Sequence, residues 1–277
     1  MKNKKSSKWI VAIIALVLIG LGVAYSHNFF KTLPGNLMIC SSQQSAPTLI
    51  AHRGLSSLYP QNTVPAFEGA AEYGYKYYEL DVHTTKDGQW VVIHNDTVDA
   101  MTNGEGDVAS FTLEEIKELK IDSGKGIKNY EDLTVPTLAE CLEVCKKTGI
   151  LPVIELKKLE IKYLPTLVDM LEEYGLSEQA KIISFDKEYL QAYRELDGKI
   201  DMLYLSHNPS KQDIDWCIEN NFGINYNCKK LYKCFSAISY AKKKGVTIGA
   251  WTVDNTVIAD VMVLFGAEYI TTNKISP

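Results

Sequence analysis

An α/β fold of the (β/α)8 barrel type is predicted by two periodicities. Eight short β-branched runs recur between residues 48 and 277, and segments of helical period separate each run from the next. A chain of 277 residues, 46% hydrophobic and 23% charged, is long enough for one large core, and about 230 residues is the usual extent of such a barrel. The competing architecture is an open doubly wound sheet, but the chain lacks the glycine-rich dinucleotide loop that would favour it.

The strands are expected near 48–51, 77–82, 151–156, 181–185, 202–205, 223–227, 247–253 and 268–271. Thr112-Leu113-Glu114-Glu115 and Thr137-Leu138-Ala139-Glu140 read as capping boxes, in which a hydroxyl accepts an amide hydrogen left free in the first helical turn. Gly74, Gly149, Gly175, Gly198 and Gly245 stand where helices should end. One segment interrupts the alternation: Lys86-Asp87-Gly88-Gln89 carries the Asp-Gly pair of a two-residue type I′ hairpin. In that register Asp81 stands opposite His94, and Glu79 opposite Asp96. Residues two apart on a strand share a face, so Glu79 and Asp81 project together with His94 beside them. A solvated hairpin with a chance carboxylate pair is the bland alternative, but both acids end a hydrophobic strand, where an unpaired charge is costly.

The N-terminus reads separately. Residues 1–8 form a basic tail with Lys2, Lys4, Lys5 and Lys8, and residues 9–25 are an unbroken apolar run at the short limit for a membrane-spanning helix. The lysines favour a cytoplasmic N-terminus. The expectation is an uncleaved signal anchor in the cell membrane, a tether over 26–47, and an extracellular domain over 48–277. A secreted form, cut after Ala24-Tyr25-Ser26, is the alternative. A lipoprotein site at Cys40 fits less well, because Ile39 stands where a small residue is wanted.

A formal net charge of -5 leaves no excess of basic residues to follow a nucleic-acid backbone, so no nucleic-acid partner is expected; no obligate protein partner is expected either. The six cysteines show no zinc-type C-x-x-C pair. Cys141 and Cys145, one helical turn apart, read as a buried helix face.

The chemistry concentrates between residues 52 and 96. His52-Arg53-Gly54, Pro60-Gln61-Asn62-Thr63, Glu79-Leu80-Asp81 and Val91-Val92-Ile93-His94 combine two histidines, a guanidinium and an alternating carboxylate pair, a set suited to metal-assisted cleavage of a phosphodiester. Together with Thr85-Lys86-Asp87-Gly88 and Ile154-Glu155-Leu156-Lys157, and in the same order over residues 48–275, these motifs resemble the glycerophosphodiester phosphodiesterase family.

The resemblance implies a distorted TIM barrel, a divalent metal held by Glu79, Asp81 and Glu155, and catalysis by His52 and His94. Three carboxylates suit a hard cation, Ca²⁺ or Mg²⁺, better than zinc, although Glu155 alone could be half of a structural ion pair. Arg53 and Lys157 would bind the substrate phosphate, while Trp251 and, less strongly, Phe185 would cover the glycerol carbons. Gln61, Asn62 and Asn95 would surround the metal ligands and histidines. His27, His83 and His207 read as structural.

Several residues depart from the family pattern: Gln61 and Asn95 replace acids, Ala100-Met101 replace an arginine-threonine pair, and Thr272 replaces an aspartate. The expected reaction is hydrolysis of a glycerophosphodiester to glycerol 3-phosphate and an alcohol. Alternatives are a phospholipase or teichoic-acid-directed phosphodiesterase on the same centre, and a degenerate barrel that only binds.

Overall fold

A computed structural model describes residues 46–277. The basic tail, the apolar run 9–25, Cys40, His27 and all but the last two residues of the tether lie outside the described residues. Among the described residues no helix is long and apolar enough to cross a membrane.

Nine strands form one sheet: β1 (Thr48–Ala51), β2 (Tyr77–Thr84), β3 (Trp90–Val92), β4 (Leu151–Leu156), β5 (Lys181–Ser184), β6 (Asp201–Ser206), β7 (Gly223–Asn227), β8 (Ile248–Trp251) and β9 (Ala267–Thr272). All but β3 run parallel, and β1 pairs with both β2 and β9, which closes an eight-stranded barrel. All eight expected barrel strands are present. Alternate strand residues belong to two separate clusters, as a closed sheet requires. Leu80, Ile154, Ile182, Ile224 and Ile248 pack outward with helix residues such as Phe67, Leu142, Leu167, Leu190, Ile214 and Ile238. Ile50, Tyr77, Val153, Ile183, Leu203 and Leu205 fill the interior. Each such side chain removed from water contributes roughly 1.5–3 kcal/mol.

The helices follow the expected boundaries. α1 (Val64–Glu72), α2 (Leu113–Glu118) and α3 (Leu138–Thr148) precede β4, and α2 and α3 begin with the capping boxes of Thr112 and Thr137. α4 (Leu164–Glu173), α5 (Lys187–Leu196), α6 (Lys211–Glu219), α7 (Leu231–Lys244) and α8 (Thr256–Leu264) complete the outer layer. Gly149 and Gly245 cap α3 and α7 in the left-handed conformation, whereas Gly198 lies beyond α5 without a positive φ.

The hairpin differs from its expected register. Thr85 N–H donates to Gln89 O and Gly88 N–H to Thr85 O, each at 2.9 Å, and of the loop residues only Gly88 has a positive φ, 76°. The loop therefore has three residues rather than two, as when a type I turn is followed by one left-handed residue. The Asp87 carboxylate accepts from Thr85 Oγ1 at 2.5 Å within the turn and from Leu113 N at 3.0 Å, which ties the turn to the start of α2. Val82 consequently pairs with Val92, and Asp81 stands opposite Ile93 instead of His94.

β1 pairs with β2 only through Tyr77 and Tyr78, which leaves the outer end of β2 free to carry β3. The chain between β3 and α3 then builds a small core of its own from Val91, Ile93, Val98, Met101, Val108, Ile116, Ile121 and Val135.

Two glycines with nearly equal φ separate backbone cost from crowding. Gly54 has φ 75° and a Cβ there would lie 2.7 Å from the main chain of Ala66, whereas Gly149, at φ 76°, has open space around it. Gly149→Ala should cost about 1–2 kcal/mol from the left-handed backbone alone. Gly54→Ala should cost about 3 kcal/mol or more, because the clash with main chain is added. Urea midpoints at unchanged m values would measure both; equal losses would contradict the close approach of the β1 loop to α1.

Candidate active site

The C-terminal ends of the barrel strands present one polar constellation above the apolar interior. Glu79 and Asp81 follow Tyr77 on the inner face of β2, and Glu155 follows Val153 on the inner face of β4. Asp81 and Glu155 are register partners on adjacent strands, so their side chains stand abreast. One carboxylate oxygen from each of Glu79, Asp81 and Glu155 lies within 4.8 Å of the others, and all three residues are buried.

That proximity is unfavourable by itself. Burial, then the charges of Asp81 and Glu155, raise Glu79 well above the usual carboxylate range. Burial and Asp81 raise Glu155 to about 7, against the opposing effect of Lys157. Two cations offset the repulsion. Arg53 Nε lies 3.4 Å from Asp81 Oδ2, and its backbone N–H donates to Glu79 Oε2 at 2.9 Å. Lys157 Nζ lies 2.9 Å from Glu155 Oε1 and 3.8 Å from Asp81 Oδ1. These acids raise the Lys157 pKa even though burial opposes it.

The loop after β1 is shaped to deliver these contacts. Arg53 and Asn62 both adopt φ 57°, a left-handed conformation that costs a non-glycine residue on the order of 1–3 kcal/mol. Asn62 N–H donates to Arg53 O at 3.0 Å, which clips the loop together. Its side-chain amide donates to Asp81 Oδ2 at 2.8 Å. Gln61 Oε1 accepts from the Arg53 guanidinium at 2.5 Å, and Gln61 Nε2 reaches Met101 Sδ at 3.2 Å. Two departures from the family pattern, at 61 and 101, thus touch each other.

The charge deficit and the donor set fit a hard divalent cation. Three carboxylates face two cations, and Asp81 Oδ1 is buried without a hydrogen bond. An orphaned carboxylate oxygen in such a place is costly unless an ion satisfies it.

Both histidines border this group. His52 Nδ1 donates to Asn273 Oδ1 at 2.9 Å. The amide orientation is fixed because Asn273 Nδ2 donates to Asp254 Oδ2 at 3.0 Å, while Ser56 Oγ also donates to Asn273 Oδ1. With Nδ1 carrying the hydrogen, Nε2 is the nitrogen left to accept a proton. Burial and Arg53 lower the His52 pKa to about 4, so the ring is neutral at pH 7. His94 follows β3, where the ladder has ended and the chain turns back toward the site. Its pKa is also lowered by burial, opposed by the nearby charge of Asp81. Its Nδ1 hydrogen-bonds Asn95 Oδ1 at 2.7 Å. His83 is buried in the strand, and burial lowers its pKa to about 4.

Trp251 and Phe185 meet at the mouth of the barrel, with ring centroids 5.6 Å apart and nearly perpendicular planes. His207, read from sequence as structural, joins them. Asn273 and Asp254 were not foreseen either: the sequence comparison placed a departure at Thr272, but it is Asn273 that faces His52. The signal was available in Asn273 immediately after the last strand, at the rim where every other site residue lies.

Comparison with known proteins agrees with this geometry. The Glycerophosphoryl diester phosphodiesterase family profile matches residues 52–276. A glycerophosphodiester phosphodiesterase of Caldanaerobacter subterraneus is 36% identical over 235 residues, covering 81% of this chain and 93% of the relative. Among solved structures, an Oleispira antarctica phosphodiesterase in complex with the product sn-glycerol-3-phosphate has a TM-score of 0.76 at 26% identity, covering 82% of this chain and 93% of that one. A Parabacteroides distasonis glycerophosphodiester phosphodiesterase gives 0.71 at 27% identity, covering 83% and 94%. With the barrel, the acidic triad and a match spanning nearly the whole described domain, this chain belongs to the glycerophosphoryl diester phosphodiesterase family of phosphoric diester hydrolases.

Proposed function

We propose that the protein hydrolyses glycerophosphodiesters to glycerol 3-phosphate and an alcohol, at the site formed by Glu79, Asp81, Glu155, His52 and His94. The observation that carries this reading is the convergence of three buried carboxylates, two cations and two histidines at one barrel mouth. Family membership supports the substrate class.

Glu79, Asp81 and Glu155 would hold Ca²⁺ or Mg²⁺, which when bound supplies positive charge next to the phosphoryl oxygens. Arg53 and Lys157 neutralise those oxygens further, Arg53 through a planar fork and Lys157 as a point charge. One histidine accepts the proton of the glycerol 2-hydroxyl as its oxygen forms a bond to phosphorus. The ester bond to the alcohol breaks, and the other histidine, entering the cycle as imidazolium, donates a proton to that leaving oxygen. Water then opens the resulting cyclic phosphate with the two proton transfers reversed. Asn273, held by Asp254, presents His52 in the tautomer able to accept. Trp251 and Phe185 give the glycerol carbons an apolar surface. We further propose that the apolar run 9–25 anchors the domain outside the cell.

His52→Ala and His94→Ala should each lower kcat by roughly 10²–10⁴ without changing the circular dichroism spectrum. Near-normal turnover of glycerophosphocholine by either variant, with metal present, would remove that histidine from the mechanism.

Exhaustive chelation should abolish turnover, and restoring Ca²⁺ or Mg²⁺ at 100 times its dissociation constant should add about 2.7 kcal/mol of stability. Replacing Glu79, Asp81 and Glu155 with their amides should eliminate that gain in a thermal melt. A gain that survives all three replacements would place the ion elsewhere.

Protease added to intact cells should release a soluble, active domain cut between residues 26 and 47. A mature chain beginning at His27 and free in the medium would instead identify residues 9–25 as a cleaved signal.

A further inference from the structure

Three aromatic rings close one side of the mouth. Phe185 follows β5, His207 follows β6 and Trp251 ends β8. Phe185 and His207 stack at 4.9 Å with 24° between their planes. Trp251 stands across both, 5.6 Å from Phe185 at 88° and 5.2 Å from His207 at 68°. The result is a right-angled corner. Its lower edge rests on the interior cluster, against which Trp251 packs, and its upper edge reaches solvent, with Phe185 38% exposed and His207 exposed.

The polar capacity of this corner is unequally distributed. Phe185 has none. The single Trp251 donor is already engaged, with Nε1 donating to Asn225 O at 3.2 Å. His207 alone brings ring nitrogens able both to donate and to accept. A corner serving only alkyl surface would gain nothing from an imidazole in place of a third hydrocarbon ring. A polyhydroxylated arm needs both properties, since its C–H faces lie against rings while its hydroxyls require partners when they leave water.

We propose that His207 is a specificity-determining residue that hydrogen-bonds the terminal hydroxyl of the substrate's glycerol arm, with Phe185 and Trp251 supporting the carbons of the same arm. This rests on the glycerophosphodiester reading given above. The imidazole discriminates a glycerol arm from one that keeps the 2-hydroxyl but ends in a methyl group. Stacking on Phe185 restricts the ring, so little rotamer entropy is lost when the bond forms.

The test compares glycerophosphoethanolamine with its analogue in which the terminal hydroxyl is replaced by hydrogen, using the full chain with Mg²⁺ or Ca²⁺ present. Wild-type kcat/KM should favour the glycerol arm about threefold to tenfold, the range of one net hydrogen bond. In His207→Phe, which retains the stacked ring, that ratio should fall to about one, mainly through KM for the glycerol substrate. His207→Gln, which restores a donor and an acceptor, should recover part of it. Calorimetric binding of glycerol 3-phosphate and of its deoxy analogue to the same proteins should show the same pattern. A ratio unchanged in His207→Phe, in turnover or in binding, overturns the proposal. If neither ester is turned over but His207→Phe still removes the binding preference, the activity reading falls and the role of His207 stands.

Discussion

Mutual repulsion among three buried acids is the constraint around which the upper barrel is organised. Asp81 and Glu155 face each other across adjacent strands and Glu79 lies one step below, over an apolar interior that cannot solvate them. Four donors oppose the repulsion: the Arg53 guanidinium, its backbone N–H, the Asn62 amide and the Lys157 ammonium. Two left-handed non-glycine residues in the β1 loop are the local cost of bringing those donors within reach. A barrel suits this arrangement because β4 is held by ladder bonds to both β2 and β5, which keeps Glu155 abreast of Asp81.

Much of this was legible in the sequence because it depends on short-range rules. The β-branched runs, the capping boxes at Thr112 and Thr137 and the helix-ending glycines at 149 and 245 each express a local preference that the barrel does not override. Glu79 and Asp81 stood out because charges ending a hydrophobic strand require an explanation, whereas Glu155 was singled out through the family resemblance. The hairpin register was not. Asp-Gly alone favours a two-residue loop, and the bond from Leu113 to Asp87 that extends it to three comes from a residue 26 positions away. His207 and Asn273 escaped notice for a similar reason: each gains its meaning from rings or side chains contributed by other strands.

The excursion after β3 changes how His94 is held. A shift of one residue in strand pairing transfers a side chain to the opposite face, yet His94 still borders Asp81, because the ladder stops at Val92 and the chain bends. Val91, Ile93 and Val98 bury that bend in a core distinct from the barrel's own. The orientation of His94 therefore depends on a second packing unit, whereas His52 is oriented by the barrel itself.

The bond from His52 to Asn273 joins the first residue after the first strand to the first residue after the last. A ribosome that has already translated every acid of the site has still not delivered the group that orients His52. The acids alone are thus a poor measure of readiness, because the contact that orients His52 forms only once β9 has docked beside β1. A barrel whose closing strand has not yet docked therefore gathers the three acids without the Asn273 contact to His52.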